Sequence, residues 1–563
     1  MGIVTHVEGT SDPIVTRMVE EDKVAWYKKR NLRKLYLFLF PACMGIEMTS
    51  GFDSQLINSL QFIPPFNKYF GAGYINPTTK SASIEPSILG LINAAYSLGA
   101  ILAVPFAPAV NQWLGRRWTI MCGSICMVIG ALLQGFSVHI AMYIIARMLL
   151  GFGIVFCIIS GSAMIGELSY PKERATMTSL FNSSYFIGAI IAAAIALRTA
   201  DIGGNWAWRI PSLLQIFPSL LQITFVFFLP ESPRYLISKD RTDEAFEILV
   251  KYHAEGDHDS VIVRAEMAQI KTTIQIELEA AKLSWRDMLR TAGMRRRVFI
   301  VSFMGLFTQW SGNTLISYYL STILGMIGYN TTYAKTRINM ANQCWNFITG
   351  TLAALVVTRF KRRSMFLLCT TSMLTVFVGW TISMQRVMVA SDHGLKNGAA
   401  SIAVLFFIFA YQPCYNIGNN ALTYSKLLPG PGSCCYIQGL TSLQAYLVEI
   451  FPFAERTRGI AVEQFFGRGA NFFSTYVNPI ALTAITWKYL AVYCVWIAFE
   501  VMFVYLFYPE TYGRTLEELA FLFEDKALTD NVVVAVEKQI HYGDKGPELD
   551  VAHVEEVRPQ NAV

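Results

Sequence analysis

One phrase of charged residues occurs twice in this chain, each time between long apolar runs. The first copy reads LGRR at 114–117, then Glu167 with Arg174 seven residues on, then PESPR at 230–234. The second reads FKRR at 360–363, then Glu449 with Arg456 seven residues on, then PETYGR at 509–514. Glu167 and Glu231 are 64 positions apart, and Glu449 and Glu510 are 61 apart. Charged phrases repeated at matched offsets imply two homologous halves set in a bilayer.

Composition agrees. Hydrophobic residues make up 53% of the 563 positions and charged residues only 15%, and mean hydropathy is +0.39. A soluble domain is poorer in apolar residues than this. Stretches of about 20 apolar residues, the length that crosses a bilayer, lie near 36–58, 88–110, 118–137, 140–163, 178–199, 209–229, 298–322, 337–357, 364–386, 401–424, 459–483 and 488–508. They are numbered here as spans one to twelve. The expected architecture is all-α and integral to the membrane, with twelve helices in two pseudo-symmetric bundles of six. The bundles occupy 35–229 and 298–510. A polar tail (1–34), a helical linker (230–297) and a second tail (511–563) lie outside them.

Lysine and arginine set the orientation. They crowd the segment before span one and the linker, whereas the 59–87 and 323–336 loops hold few. Both tails and the linker are therefore expected on the cytoplasmic side. The net charge of +6 reflects that bias and implies no nucleic-acid partner. The ten cysteines show no CxxC or metal spacing, so they read as apolar thiols. Asn330-Thr331-Thr332 is a glycosylation sequon in an expected outside loop; Asn182-Ser183-Ser184 also fits but sits in a span. No nucleophile–base pair, metal cluster or phosphate loop is legible, so neither an enzyme nor a bound cofactor is expected.

The charged phrases have company. GFD at 51–53, ARMLLGFG at 146–153, GELSYPKER at 166–174, WRIP at 208–211 and QWSGN at 309–313 follow in order, and PETYGRTLEE closes the series at 509–518. With them the chain, from about 45 to 520, resembles the sugar porters of the major facilitator superfamily (MFS). YHAEGD at 252–257 is similar to the fungal branch of lactose permease-like and hexose transporters. The resemblance implies proton-coupled import of a mono- or disaccharide by alternating access, in a multi-pass protein of the plasma membrane that works as a monomer among lipids. An uncoupled facilitator and a non-transporting sugar sensor stay open as alternatives.

It also implies site residues. A bare charge at mid-bilayer costs roughly 2.5–3.5 kcal/mol on insertion scales, so intramembrane charges pair and serve function. Asp53 in span one is expected to take up the proton, with Arg147 in span four holding it ionised; Glu47 is a rival carrier. Amides, which both donate and accept, and aromatic faces suit a sugar: Asn182, Gln309, Trp310, Asn313, Tyr318, Asn346 and Asn471 are the candidates. At the cytoplasmic edge, Arg116, Arg117, Glu167, Arg174, Glu231 and Arg234 are expected to form one ion-pair latch. Arg362, Arg363, Glu449, Arg456 and Glu510 would form its mirror. Glu463, Arg468 and Glu500 read as a structural network.

The sequence departs from the family in places. Gln112 and Thr358 stand at usually acidic positions, Lys361 replaces a glycine, and Thr308 replaces the first of two glutamines. The larger departure is SKLLPGPGSCCYIQGLTSLQA at 425–445, whose Pro429 and Pro431 with flanking glycines would end any helix. Ser425-Lys426 can be encoded with a GTAAG donor and Gln444-Ala445 with an AG acceptor. Removal in frame gives ALTYTYLVEIFPF, so a retained intron is expected here; a genuine insertion is the alternative.

Overall fold

The computed structural model describes residues 24–71, 73–75, 83–281, 289–329, 331–356, 361–420, 451 and 456–510. A helix, or two helices joined by a break, lies at each of the twelve expected positions. The first six spans are Arg30–Leu60, Pro86–Ala103 continued by Ala107–Leu114, Arg116–Gly135, Ile140–Leu168, Arg174–Thr199, and Trp206–Leu214 continued by Ile216–Val226. The second six are Ala292–Trp310 continued by Asn313–Met326, Thr332–Val356, Arg362–Asp392, Gly398–Tyr415, Arg456–Ile485 and Trp487–Phe507. Seven of these helices are long and apolar enough to cross a membrane on composition alone. Span five is apolar over Ser184–Thr199 among the described residues. The segment 421–450, which holds the 425–445 anomaly and Glu449, and Asn330 lie outside the described residues.

Backbones approach closely where glycine faces glycine's neighbour on the next helix. A Cβ on Gly51 would lie 1.9 Å from the Tyr185 carbonyl oxygen, and one on Gly188 would lie 2.0 Å from that of Met48. Spans one and five therefore cross with no side chain between them, as small residues allow in membranes. Spans two and four repeat the device: Gly99 meets Met148 and Gly151 meets Tyr96.

Between the halves, the linker folds as Pro233–Ser238, Thr242–His253 and Val261–Ala281. Its apolar faces, with Leu236, Leu249, Val250, Val263 and Met267, form a small core of their own. Polar contacts tie it to the first bundle. The Glu255 carboxylate accepts from the backbone N–H groups of Asn31 and Leu32 at 3.0 and 3.1 Å, capping span one. Buried Glu266 accepts from Arg174 at 3.1 Å and contacts His253 Nδ1 at 2.7 Å. Burial pushes the Glu266 carboxyl up, but His253 and Arg174 outweigh it and hold the group below the usual carboxylate range. A depressed carboxyl stabilises above its unfolded pKa of about 4.3 and loses that contribution as pH falls through its lower folded value. Glu266→Gln is therefore expected to weaken docking of the Val261–Ala281 helix at neutral pH, read as faster amide exchange there, and to remove the acid sensitivity of that exchange.

Candidate sugar and proton path

Asp53 and Arg147 meet in the first bundle. Arg147 Nη1 donates to Asp53 Oδ1 at 2.5 Å, with Arg147 and Asp53 only 1% and 2% exposed. Gln215 of span six donates to the same oxygen at 2.7 Å. Asp53 Oδ2 and Arg147 Nε are buried with no hydrogen-bond partner. The pair is thus held by one oxygen and leaves its second oxygen free for a proton. The guanidinium also lies 5.2 Å from the Tyr96 ring centroid. Tyr318, from the second bundle, lies within electrostatic reach of both charges and turns its hydroxyl toward Ser54 and Asn471. Asn471 in turn donates to Ser97 of span two at 3.1 Å. A path therefore runs from the ion pair to an amide on the opposite half.

The other candidate sugar residues divide. Asn313 accepts from Ser317 at 3.2 Å, and Asn346 accepts from Asn416 at 2.9 Å. Gln309 is half-buried beside the break in span seven. The Trp310 indole donates to the Ala470 carbonyl at 3.0 Å and packs on Phe473 and Trp496, so its ring is engaged within the second bundle. Asn182 lies on span five; its side chain is outside the described residues.

Span seven breaks at Ser311–Gly312. Gly312 has φ +97°, and a Cβ there would lie 2.2 Å from the Phe377 ring. Carbonyls at the break find tyrosines of span ten: Tyr411 donates to Ser311 O at 3.1 Å and Tyr415 to Thr308 O at 2.9 Å. Beyond the break, at the end of the molecule away from the linker, buried amides join the halves. Gln343 donates to Gln55 at 2.8 Å, Asn58 to Asn339 at 3.2 Å, and Gln61 to the Tyr318 carbonyl at 2.8 Å. This end is closed by neutral hydrogen bonds.

At the linker end the expected latch splits into separate tasks. Arg116 forms a bidentate pair with Glu167 at 3.0 and 3.1 Å, and Ser232 donates to the same carboxylate. Glu231 caps span three, accepting from Arg116 N at 3.1 Å and Arg117 N at 3.4 Å. The Arg117 guanidinium caps the end of span six through the Val226 and Phe227 carbonyls. Arg174 turns away to Glu266, and Arg234 has a partner of its own. The second half repeats two of these tasks: Arg363 N donates to Glu510 at 3.3 Å and its guanidinium to the Tyr505 carbonyl of span twelve. The side chains of Arg362 and Arg456 are outside the described residues. The pairs described here join residues within one half or the linker and brace each bundle.

Gly115 is fixed by this arrangement. Its φ of +88° and ψ of 173° lie in a region open essentially to glycine alone, and a Cβ would fall 2.8 Å from Glu231 Oε2. Gly115→Ala is expected to cost more than about 1 kcal/mol and to lower the melting midpoint of the purified protein.

The sequence reading of Glu463, Arg468 and Glu500 as one network is divided. Arg468 lies within electrostatic reach of Glu463 and, across the halves, of Glu47, while Glu500 faces Ser311 at the break. Gln215 and Tyr96, which complete the surroundings of the ion pair, were not anticipated.

The sequence matches the family described as "Sugar (and other) transporter" over residues 38–427 and 432–523. A high-affinity glucose transporter of Kluyveromyces lactis is 25% identical over 92% of this chain and 89% of its own. The MFS-type transporter oryC of Aspergillus oryzae is 28% identical over 77% of this chain and 76% of its own. Among solved structures, the inward-open xylose transporter XylE of E. coli superposes with a TM-score of 0.67 at 19% identity, covering 87% of this chain and all of that one. Twelve helices in the MFS arrangement, an intramembrane ion pair and a polar path between the halves thus accompany a family match along most of the sequence: the chain belongs to the sugar porter family of membrane transporters.

Proposed function

We propose that the protein imports a mono- or disaccharide together with a proton across the plasma membrane, with both tails on the cytoplasmic side, acting as a monomer. The observation that carries coupling is the buried Asp53–Arg147 pair with one unpartnered carboxylate oxygen. A proton on that oxygen neutralises Asp53, removes the charge that holds Arg147 while leaving Oδ1 a neutral acceptor, and so frees span one to move against spans four and six. Tyr318 and Asn471 connect that event to the second half, where Gln309, Asn313 and Asn346, with Asn182 from the first, supply amides for sugar hydroxyls. The amide contacts between Gln55, Asn58, Asn339 and Gln343 then act as the gate on the outside, and the linker-end pairs brace the bundles as they rock. A solved neighbour is a proton:xylose symporter by its description, which favours coupling over facilitation.

The test is uptake of labelled glucose, xylose and lactose by transporter-null yeast expressing the full chain or the form with ALTYTYLVEIFPF in place of the interrupted segment. Uptake of one of them by either form, abolished by a protonophore, supports the reading. Uptake indifferent to the protonophore makes the protein a facilitator. Uptake confined to the shortened form supports the retained intron.

A further inference from the structure

Span twelve carries a carboxyl group that the coupling scheme does not use. Glu500 is 1% exposed, and both its oxygens lie against Ser311 Oγ, at 3.1 and 2.9 Å. Ser311 is fully buried and is the residue at which span seven breaks. Its hydroxyl oxygen also contacts the Phe307 carbonyl, one turn back.

The hydrogens must be counted. A serine hydroxyl owns one hydrogen. The Phe307 carbonyl can only accept, so a hydrogen bond there uses that hydrogen. The contact between Ser311 Oγ and Glu500 then needs a hydrogen from the glutamate. If Glu500 were ionised, the serine hydrogen would have to turn to it and abandon the Phe307 contact. A buried carboxylate would then rest on a single neutral donor, which is costly.

No charge compensates. Among the described residues Glu500 has no ion-pair partner. Tyr411 and Tyr415 face it from span ten, and Tyr508 from the end of its own helix. On span nine, Cys369 faces those two tyrosines of span ten. On span eleven, Arg468 interacts with Tyr96, Glu463 and Glu47. Among the described residues, each of the groups named here that faces Glu500 is neutral at pH 7.

We infer that Glu500 carries a proton in this conformation and donates it to Ser311 Oγ, making it a second proton-holding residue, placed on the break of span seven. Its hydrogen completes a chain from Glu500 through Ser311 to the Phe307 carbonyl, while Tyr411 and Tyr415 secure the neighbouring carbonyls. The end of the first segment of span seven is thereby pinned at the break to spans ten and twelve, and loss of the proton requires that end to rearrange. The placement rests on the hydrogen count alone; its use in a transport cycle rests on the proposed symport.

Infrared spectroscopy of the purified protein in lipid nanodiscs at pH 7, without sugar, tests the placement. Glu500→Gln is expected to remove one carbonyl-stretch component of a buried protonated carboxyl, which Asp53→Asn leaves in place. Ser311→Ala takes away the acceptor and is expected to shift that component to higher wavenumber. Loss of a carboxylate band in Glu500→Gln would overturn the inference, as would a carboxyl band unmoved by Ser311→Ala. A protein that fails to couple sugar to protons but keeps this band would refute the symport reading and leave the proton on Glu500.

Discussion

Asp53→Asn is expected to abolish sugar accumulation while sparing sugar exchange. The amide keeps the size of the carboxyl and a carbonyl oxygen for Arg147 and Gln215, which now meet at Asp53 Oδ1. It cannot take up or release a proton. A membrane potential of about 100 mV acting on one proton is worth about 2.3 kcal/mol, enough to sustain roughly a fifty-fold sugar gradient. The variant should equilibrate sugar across the membrane to a ratio of about one. Exchange of labelled for unlabelled sugar should persist, because alternation of the neutral form needs no proton. Undiminished accumulation would move coupling to another carboxyl; loss of exchange as well would give Asp53 a structural part.

The second large effect concerns folding. Among the described residues Arg147 is the cation paired with Asp53, and both are sealed from solvent. Arg147→Ala leaves a buried carboxylate whose remaining hydrogen-bond donor among the described residues is Gln215. Breaking a buried pair by removing one partner costs about 3–5 kcal/mol, much of it the uncompensated charge. A double variant, Arg147→Ala with Asp53→Asn, removes that charge and should recover part of the loss, because contacting residues are not additive. The comparison is made on thermal denaturation midpoints in detergent: the single variant should melt well below wild type, and the double variant between the two. Equal midpoints for single and double variants would mean the charge itself carries no cost.

Much of this was open to reading from the sequence, for definite reasons. A bilayer forces helices of a set length, so twelve apolar runs announced twelve spans. Duplication announced the halves, and the second half does repeat the first: Arg363 stands to Glu510 and Tyr505 as Arg117 stands to Glu231 and the end of span six. The Asp53–Arg147 pair was legible because an intramembrane charge must find its opposite and the family motifs flanked both. Partners without charge were not. Gln215 looks like any glutamine beside WRIP, and nothing in spacing says that it points at Asp53. Arg174 sits in a motif beside Glu167, yet the linker folds back and offers Glu266, 92 positions away. Sequence alone groups Glu500 with Glu463 and Arg468, because all three are charges in neighbouring spans. Helix rotation decided otherwise, turning Glu500 to the break of span seven.

Proton coupling means that a proton gradient alone drives sugar uphill. Proteoliposomes containing the purified protein, loaded with equal sugar on both sides and given an acidic exterior, test it directly. Net sugar entry above equilibrium is expected in wild type, none in Asp53→Asn, and collapse on adding a protonophore. Sugar concentrations that stay equal across the membrane in wild type, while exchange proceeds, would contradict it.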